Sequence, residues 1–189
     1  MANQRSSTIN KLAALRCVPM LQWGGLLAHD TATLPGITAC ATRQAANKLV
    51  QFKQRKGPFI LLADSTHTAS HLARHLTPEL RCLMRNAWPG PVTLLLPAIA
   101  SLPHCFQQNG FVAVRVDASL QVRQLARACG GLLISSSLNR RGKNPSQATL
   151  KNHMRLHRFL RARLVGPPAG GHHSSIIQPR RKHANIIHR

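Results

Sequence analysis

Residues able to do chemistry gather in a few short stretches of this 189-residue chain. In "LLISSSLNRRGK", Leu132 to Lys143, an apolar run breaks into Ser135, Ser136 and Ser137, followed by Asn139 and a cluster of cations. Alternate residues of a strand point the same way, so Ser135 and Ser137, with Asn139 after them, would share one side at the end of a buried strand. Hydroxyls and an amide can hold phosphate or ribose oxygens without burying a charge. A serine-rich turn beside an exposed basic loop is the plainer alternative. "FKQRKG" sets Lys53, Arg55 and Lys56 at the end of a helical pattern, where cations suit the helix dipole and are solvated by default. His67, His71 and His75 recur every four residues, as do His153 and His157, a spacing that can bind zinc. No third ligand accompanies either run and the surroundings are basic, so these imidazoles read as solvated or RNA-facing, and no protein-bound metal is expected.

Composition narrows the chemistry further. There are 26 Lys+Arg against four acids, Asp30, Asp64, Glu79 and Asp117, giving a formal charge of +22. A two-metal nuclease needs several converging carboxylates and a glycosidase needs a pair, so both are unlikely readings of four scattered acids. The charge suits a phosphate-rich partner such as RNA; a general bias towards basic residues would leave the same mark. The patterns GxxxxGK[ST], GxGxxG and GxSxG are absent, which excludes standard P-loop, Rossmann and α/β-hydrolase sites. Cys17, Cys40, Cys82, Cys105 and Cys129 are odd in number and contain no CxxC pair, which points to reduced, mostly buried thiols and a cytoplasmic setting. No apolar run reaches transmembrane length and no signal-peptide pattern opens the chain, so no membrane association is expected.

The elements that must position these residues alternate. Helical patterns run over about Thr8–Gln22 (Ile9, Leu12, Ala13 and Leu15 as the apolar face, Pro19 as a stop or kink), Arg43–Arg55, Thr66–Leu76, Pro78–Ala87 capped by Thr77, and Ser119–Gly130. Ser146 would cap a very basic helix reaching about Leu160. Strands are expected at Leu26–Ala28, Pro58–Ala63, Val92–Pro97, Phe111–Val116, "LLIS" from Leu132, and "SSII" near the end. "WPGPVT", Trp88 to Thr93, is a stiff turn that fixes the direction of the strand it precedes. This alternation gives one α/β domain with a mixed sheet over residues 1–178, and a basic C-terminal tail over 179–189.

Taken together, these stretches resemble the YrdC/TsaC-type threonylcarbamoyl-AMP synthases, in their short single-domain form, over about Leu12 to Ile177. "KQR" looks like the family's KxR, and "SSSLN" like its ST-S-A-N segment. "WPGPVTLLLPA" is the most specific match; "VAVRVD" and "GGHHSSII" follow in the family's order. The resemblance implies a twisted open mixed sheet flanked by helices, with a concave basic face. It implies an enzyme that uses L-threonine, bicarbonate or CO2, and ATP with Mg2+ to make L-threonylcarbamoyladenylate and pyrophosphate. Partner proteins would then carry the group to the adenosine beside the anticodon of tRNA. By the same resemblance Lys53 and Arg55 would be catalytic and would neutralise the ATP phosphates, joined by Thr93, Ser137 and Asn139. Arg115, Thr31, Ser135 and Ser175 would hold threonine. The chain departs from the family at "HDTATLPG", His29 to Gly36, where relatives read Y-P-T-E-x-V-[YF]-G, and at Leu138 and Arg141. An RNA-binding relative with weakened catalysis is the alternative those departures keep open.

Overall fold

The computed structural model describes residues 2–54, 57, 59–138, 160–164, 175–179 and 184–187. Helix α1 (Ala2–Gln22) buries Ala14 and Leu21, with Cys17 and Val18 packed beside them. These residues fall at i, i+3, i+4 and i+7, one face of a helix. Leu12 and Leu15, expected on the buried face, are 55% and 42% exposed, and Pro19 lies inside the helix rather than ending it. Leu12 and Leu15 fall off the face shared by Ala14, Cys17, Val18 and Leu21, so the helix turns them outward.

There follow β1 (Leu26–His29), β2 (Gly36–Cys40), α2 (Arg43–Lys53), β3 (Ile60–Ala63), α3 (Thr66–Ser70), α4 (Pro78–Ala87), β4 (Val92–Pro97), a 3-10 turn at His104–Phe106, β5 (Phe111–Arg115), α5 (Leu120–Ala128) and β6 (Leu132–Ser137). Beyond these lie β7 (Leu160–Leu164), β8 (Ser175–Pro179) and β9 (Ala184–Ile187). The nine strands form one mixed sheet in the order β7-β1-β2-β6-β3-β5-β4-β8-β9. Pairs β1/β7, β3/β5 and β4/β8 are parallel; the rest are antiparallel.

Alternation along the strands builds two cores. One face carries Ile37, Leu61, Leu94, Val114 and Ile134 against α2, α3 and α4; the other carries Leu27, Cys40, Leu62 and Leu133 against α1 and α5.

Several expectations are corrected. Strand β2 was not foreseen. Strand β6 does not stop at its hydroxyls: Ser135, Ser136 and Ser137 pair with Thr38, Ile37 and Gly36 of β2. Helix α3 ends at Ser70, so His75 lies outside it and the three histidines do not form one helical stripe. Leu160 opens β7 instead of ending a basic helix, whose other residues lie outside the described ones. Strand β9 pairs with β8 inside the segment read as a tail, through Ile186 and Ile187. Cys40 is buried, but Cys82 is exposed and the other three thiols are intermediate.

Candidate active site

The site is built on two strand ends brought together by a loop. Residues 30–35 join β1 to β2, and the Thr31 hydroxyl organises this loop. Its Oγ1 donates to the Leu34 carbonyl at 2.8 Å and accepts from the Thr33 and Leu34 amides at 3.1 and 3.2 Å. The Thr33 hydroxyl, 3.0 Å from that of Thr31, accepts from Nη1 of Arg115 at 3.0 Å. Asp117 completes the grip. Its Oδ2 lies 3.1 Å from Nη2 of Arg115, while Oδ1 accepts from the amides of Ala32 at 3.1 Å and Ser119 at 2.9 Å. Strands β1 and β5 are separated by three others, so it is the loop at residues 30–35 that bridges from the end of β1 to the end of β5.

Arg115 is 5% exposed and Asp117 is fully buried. A buried charge is tolerable only when paired and hydrogen-bonded, which this arrangement provides. Burial still lowers the pKa of the guanidinium, and the Asp117 carboxylate works against that shift. Not every polar atom here is satisfied. Nε of Arg115 and the hydroxyl of fully buried Thr93 have no hydrogen-bond partner among the described residues. Thr93 and Arg115 each lie one residue beyond the Leu94–Val114 pair, so they are cross-strand neighbours. Buried polar atoms without partners are rare and mark a place where a ligand or water belongs.

His29 ends β1, opposite Gly36, and is 1% exposed with neither ring nitrogen hydrogen-bonded. Burial pushes its pKa down to about 4, with Asp117 opposing and Arg115 reinforcing the shift. The ring therefore stays neutral. A Cβ on Gly36 would lie 3.0 Å from its Nε2, so the glycine makes room for it.

A second cation approaches from the opposite layer. Lys53 continues the inward stripe of α2 (Ala45, Ala46, Leu49) and is 3% exposed. It is not the solvated lysine that its basic run suggested. Its Nζ donates to the Ser137 carbonyl at 2.7 Å, at the end of β6. Ser135 stands across from Thr38; their hydroxyls donate to the carbonyls of Ile37 at 3.2 Å and Ile134 at 2.9 Å, leaving lone pairs as acceptors. Ser175 is exposed and in register with Val92, one residue before the Thr93–Ile176 pair. Arg55 and Asn139 lie outside the described residues.

Thr31 and Arg115 thus meet in one network through Thr33, with Thr93 beside Arg115 on β4 but not bonded into it, and Lys53 meets Ser137 elsewhere. Sequence reasoning singled out neither Thr33, Thr38 and Asp117 nor His29 as functional. Asp117 offered a signal: it is one of four acids and follows Arg115 by two residues. Elsewhere, the His67 and His71 rings pack edge-on at 4.5 Å, and no group of three metal-capable side chains occurs among the described residues. No helix among them is long and apolar enough to cross a membrane.

Comparison with known proteins places this geometry. The Sua5/YciO/YrdC family model, described as "Telomere recombination", matches residues 19–189. A threonylcarbamoyl-AMP synthase of Nitrosococcus oceani is 36% identical over 137 residues, covering 70% of this chain and 74% of the relative. Among solved structures, P. abyssi Sua5 complexed with L-threonine superposes with a TM-score of 0.83 at 23% identity, over 93% of this chain and 53% of that one. E. coli YciO gives 0.80 at 17% identity, over 94% and 88% of the two chains. The mixed sheet with its helices is the fold of these neighbours.

Proposed function

The chain belongs to the Sua5/YciO/YrdC family, and from that premise we propose how its residues divide the work of a threonylcarbamoyl-AMP synthase. The enzyme joins L-threonine, bicarbonate or CO2, and ATP into L-threonylcarbamoyladenylate and pyrophosphate. The threonine nitrogen bonds to the carbon of CO2. An oxygen of the resulting carbamate then attacks the α-phosphorus of ATP, and the bond from that phosphorus to the bridging oxygen breaks to release pyrophosphate. No protein nucleophile is needed. Positioning and fixed positive charge suffice, which a chain with four acids can supply.

The observation that carries the assignment of threonine is the grip on Arg115, buried between Thr33 and Asp117 with its Nε still unpartnered. Arg115 pairs with the threonine carboxylate. Thr31 shapes the loop against it, and Ser135 and Ser175 contribute hydroxyls. Lys53 and Arg55 neutralise the ATP phosphates, with Thr93, Ser137 and Asn139 along the nucleotide. Lys53 is preset by its bond to Ser137, which holds its charge at the end of β6. Mg2+ enters as part of MgATP, on the phosphate oxygens. The product passes to tRNA with the help of threonylcarbamoylation partner proteins in the cytoplasm, and the +22 charge supports direct contact with RNA.

Thr31→Ala tests the threonine side. Removing a hydroxyl that takes two amides loosens the loop and, through Thr33, the grip on Arg115. The threonine KM of pyrophosphate release should rise about tenfold, equivalent to ~1.4 kcal/mol, with the ATP KM little changed. An unchanged threonine KM would remove Thr31 from the pocket.

A further inference from the structure

His29 has no place in the division of labour above, yet its position is the least expected in the site. Its neighbours are committed. Arg115 is a cation, and Asp117 accepts from two backbone amides at Oδ1 and pairs with the guanidinium through Oδ2. His29 alone among the site's described titratable groups combines a neutral ring at almost complete burial with nitrogens that meet no other side chain, only the Asp30 backbone beside them. Groups of both signs act on it: Asp30 beside it in the chain, and Arg115 and Asp117 from the end of β5. On its other flanks lie Gly36 of β2 and Leu164 of β7, which bring no charge.

We propose that His29 contacts threonine and takes the proton that leaves its nitrogen once the bond to carbon has formed; this rests on the synthase reading above. Threonine sheds one ammonium proton to solvent and becomes an amine. The nitrogen lone pair forms the N–C bond while one C=O pair moves onto oxygen. The nitrogen then carries a positive charge, and its N–H pair collapses onto nitrogen as the proton moves to the imidazole. A neutral carbamate nitrogen, a carboxylate and an imidazolium remain, and the imidazolium loses its proton to the water that replaces the departing product.

The chemistry matches the surroundings. A ring pushed down to about 4 is a poor base for an ordinary ammonium, but a fitting one for a nitrogen made acidic by its new carboxyl group. The threonine carboxylate, seated against Arg115, adds negative charge beside the ring and raises its proton affinity as substrate binds.

Two measurements test this separately from the synthase reading. The first uses wild-type protein with labelled histidine, without ATP. Added L-threonine should shift the His29 ring signals, identified by their loss in His29→Gln; signals that stay put overturn the contact. The second is pyrophosphate release. His29→Gln keeps a hydrogen-bond acceptor but no useful base, so kcat should fall about 100-fold while the threonine KM stays within about threefold. His29→Ala should recover rate with imidazoles added in solution, in order of their basicity rather than their size. A His29→Gln rate close to wild type, or rescue that ignores basicity, overturns the proton transfer. Should His29→Ala fail to fold, the glutamine variant and the ring signals still decide. If wild type moves its His29 signals with threonine but releases no pyrophosphate, the synthase reading fails and the contact stands.

Discussion

The buried histidine that ends β1 leaves a mark on stability as well as chemistry. Its ring has a pKa of about 4 in the fold against an ordinary 6.5. Between those values the unfolded chain takes up a proton that the folded chain refuses, so stability present above pH 6.5 is lost as pH falls towards 4. The loss attributable to this ring is about 3 kcal/mol. Urea denaturation of wild type and His29→Gln from pH 7 to 4 should therefore show the wild type losing that much more than the variant; parallel curves would mean the ring titrates normally. At this scale the sequence was partly legible. Lys53 shows itself through the resemblance of "KQR" to KxR, although its basic run alone reads as solvated. Thr33 and Asp117 do not, because their contacts join residues 82 and 85 positions apart. No local pattern encodes which loop a twisted sheet will fold onto which strand end.

Elements with strong local signals were read to their bounds. Helix α4 spans Pro78–Ala87, with the Thr77 hydroxyl accepting from the Leu80 amide, and β4 spans Val92–Pro97. Between them "WPGP" does what its stiffness implied: the buried Trp88 indole donates to the Val92 carbonyl at 2.7 Å and pins the turn. A Cβ on Gly90 would sit 2.3 Å from the Ala87 carbonyl oxygen, a backbone atom that cannot step aside. Gly90→Ala should cost about 2 kcal/mol and lower Tm by roughly 4–8 °C, read by thermal unfolding; an unchanged Tm would mean the turn has slack. The unforeseen elements lacked such signals. β2 reads "GITAC", a buried strand of small and mixed residues without alternation, and β7 reads "LRARL", whose arginines resemble those of the basic helix expected before it. For β6, three serines looked like a strand's end. Inside the sheet all three pair with β2, and the Ser135 hydroxyl donates to the Ile37 carbonyl, so the strand continues.

Across the whole molecule the acids and the cations play unequal parts. Asp117 braces Arg115, and Asp64 accepts from Ser65, Thr68 and Arg127; both are used to hold structure. The 26 Lys+Arg are left with few internal partners to neutralise them. Binding to tRNA should therefore be governed by counterion release. Its affinity, followed by fluorescence anisotropy, should fall by about 10³-fold or more between roughly 50 and 200 mM salt. An affinity indifferent to salt would instead leave the charge as compositional bias. Fold class and family were legible at this scale because five short motifs in order constrain the chain more than any one of them. The extent of the sheet was less so, since β9 pairs within a segment whose cations read as a tail.

On the proposed division of labour, Lys53 and the Arg115 pocket serve one reaction on threonine and ATP. The most direct test is pyrophosphate release by the purified protein with MgATP and bicarbonate, with and without L-threonine, beside Lys53→Ala. Release that requires threonine and falls at least about 100-fold in the variant is the predicted result. Folded, tRNA-binding protein that releases no pyrophosphate, or releases it without regard to threonine, would contradict the account.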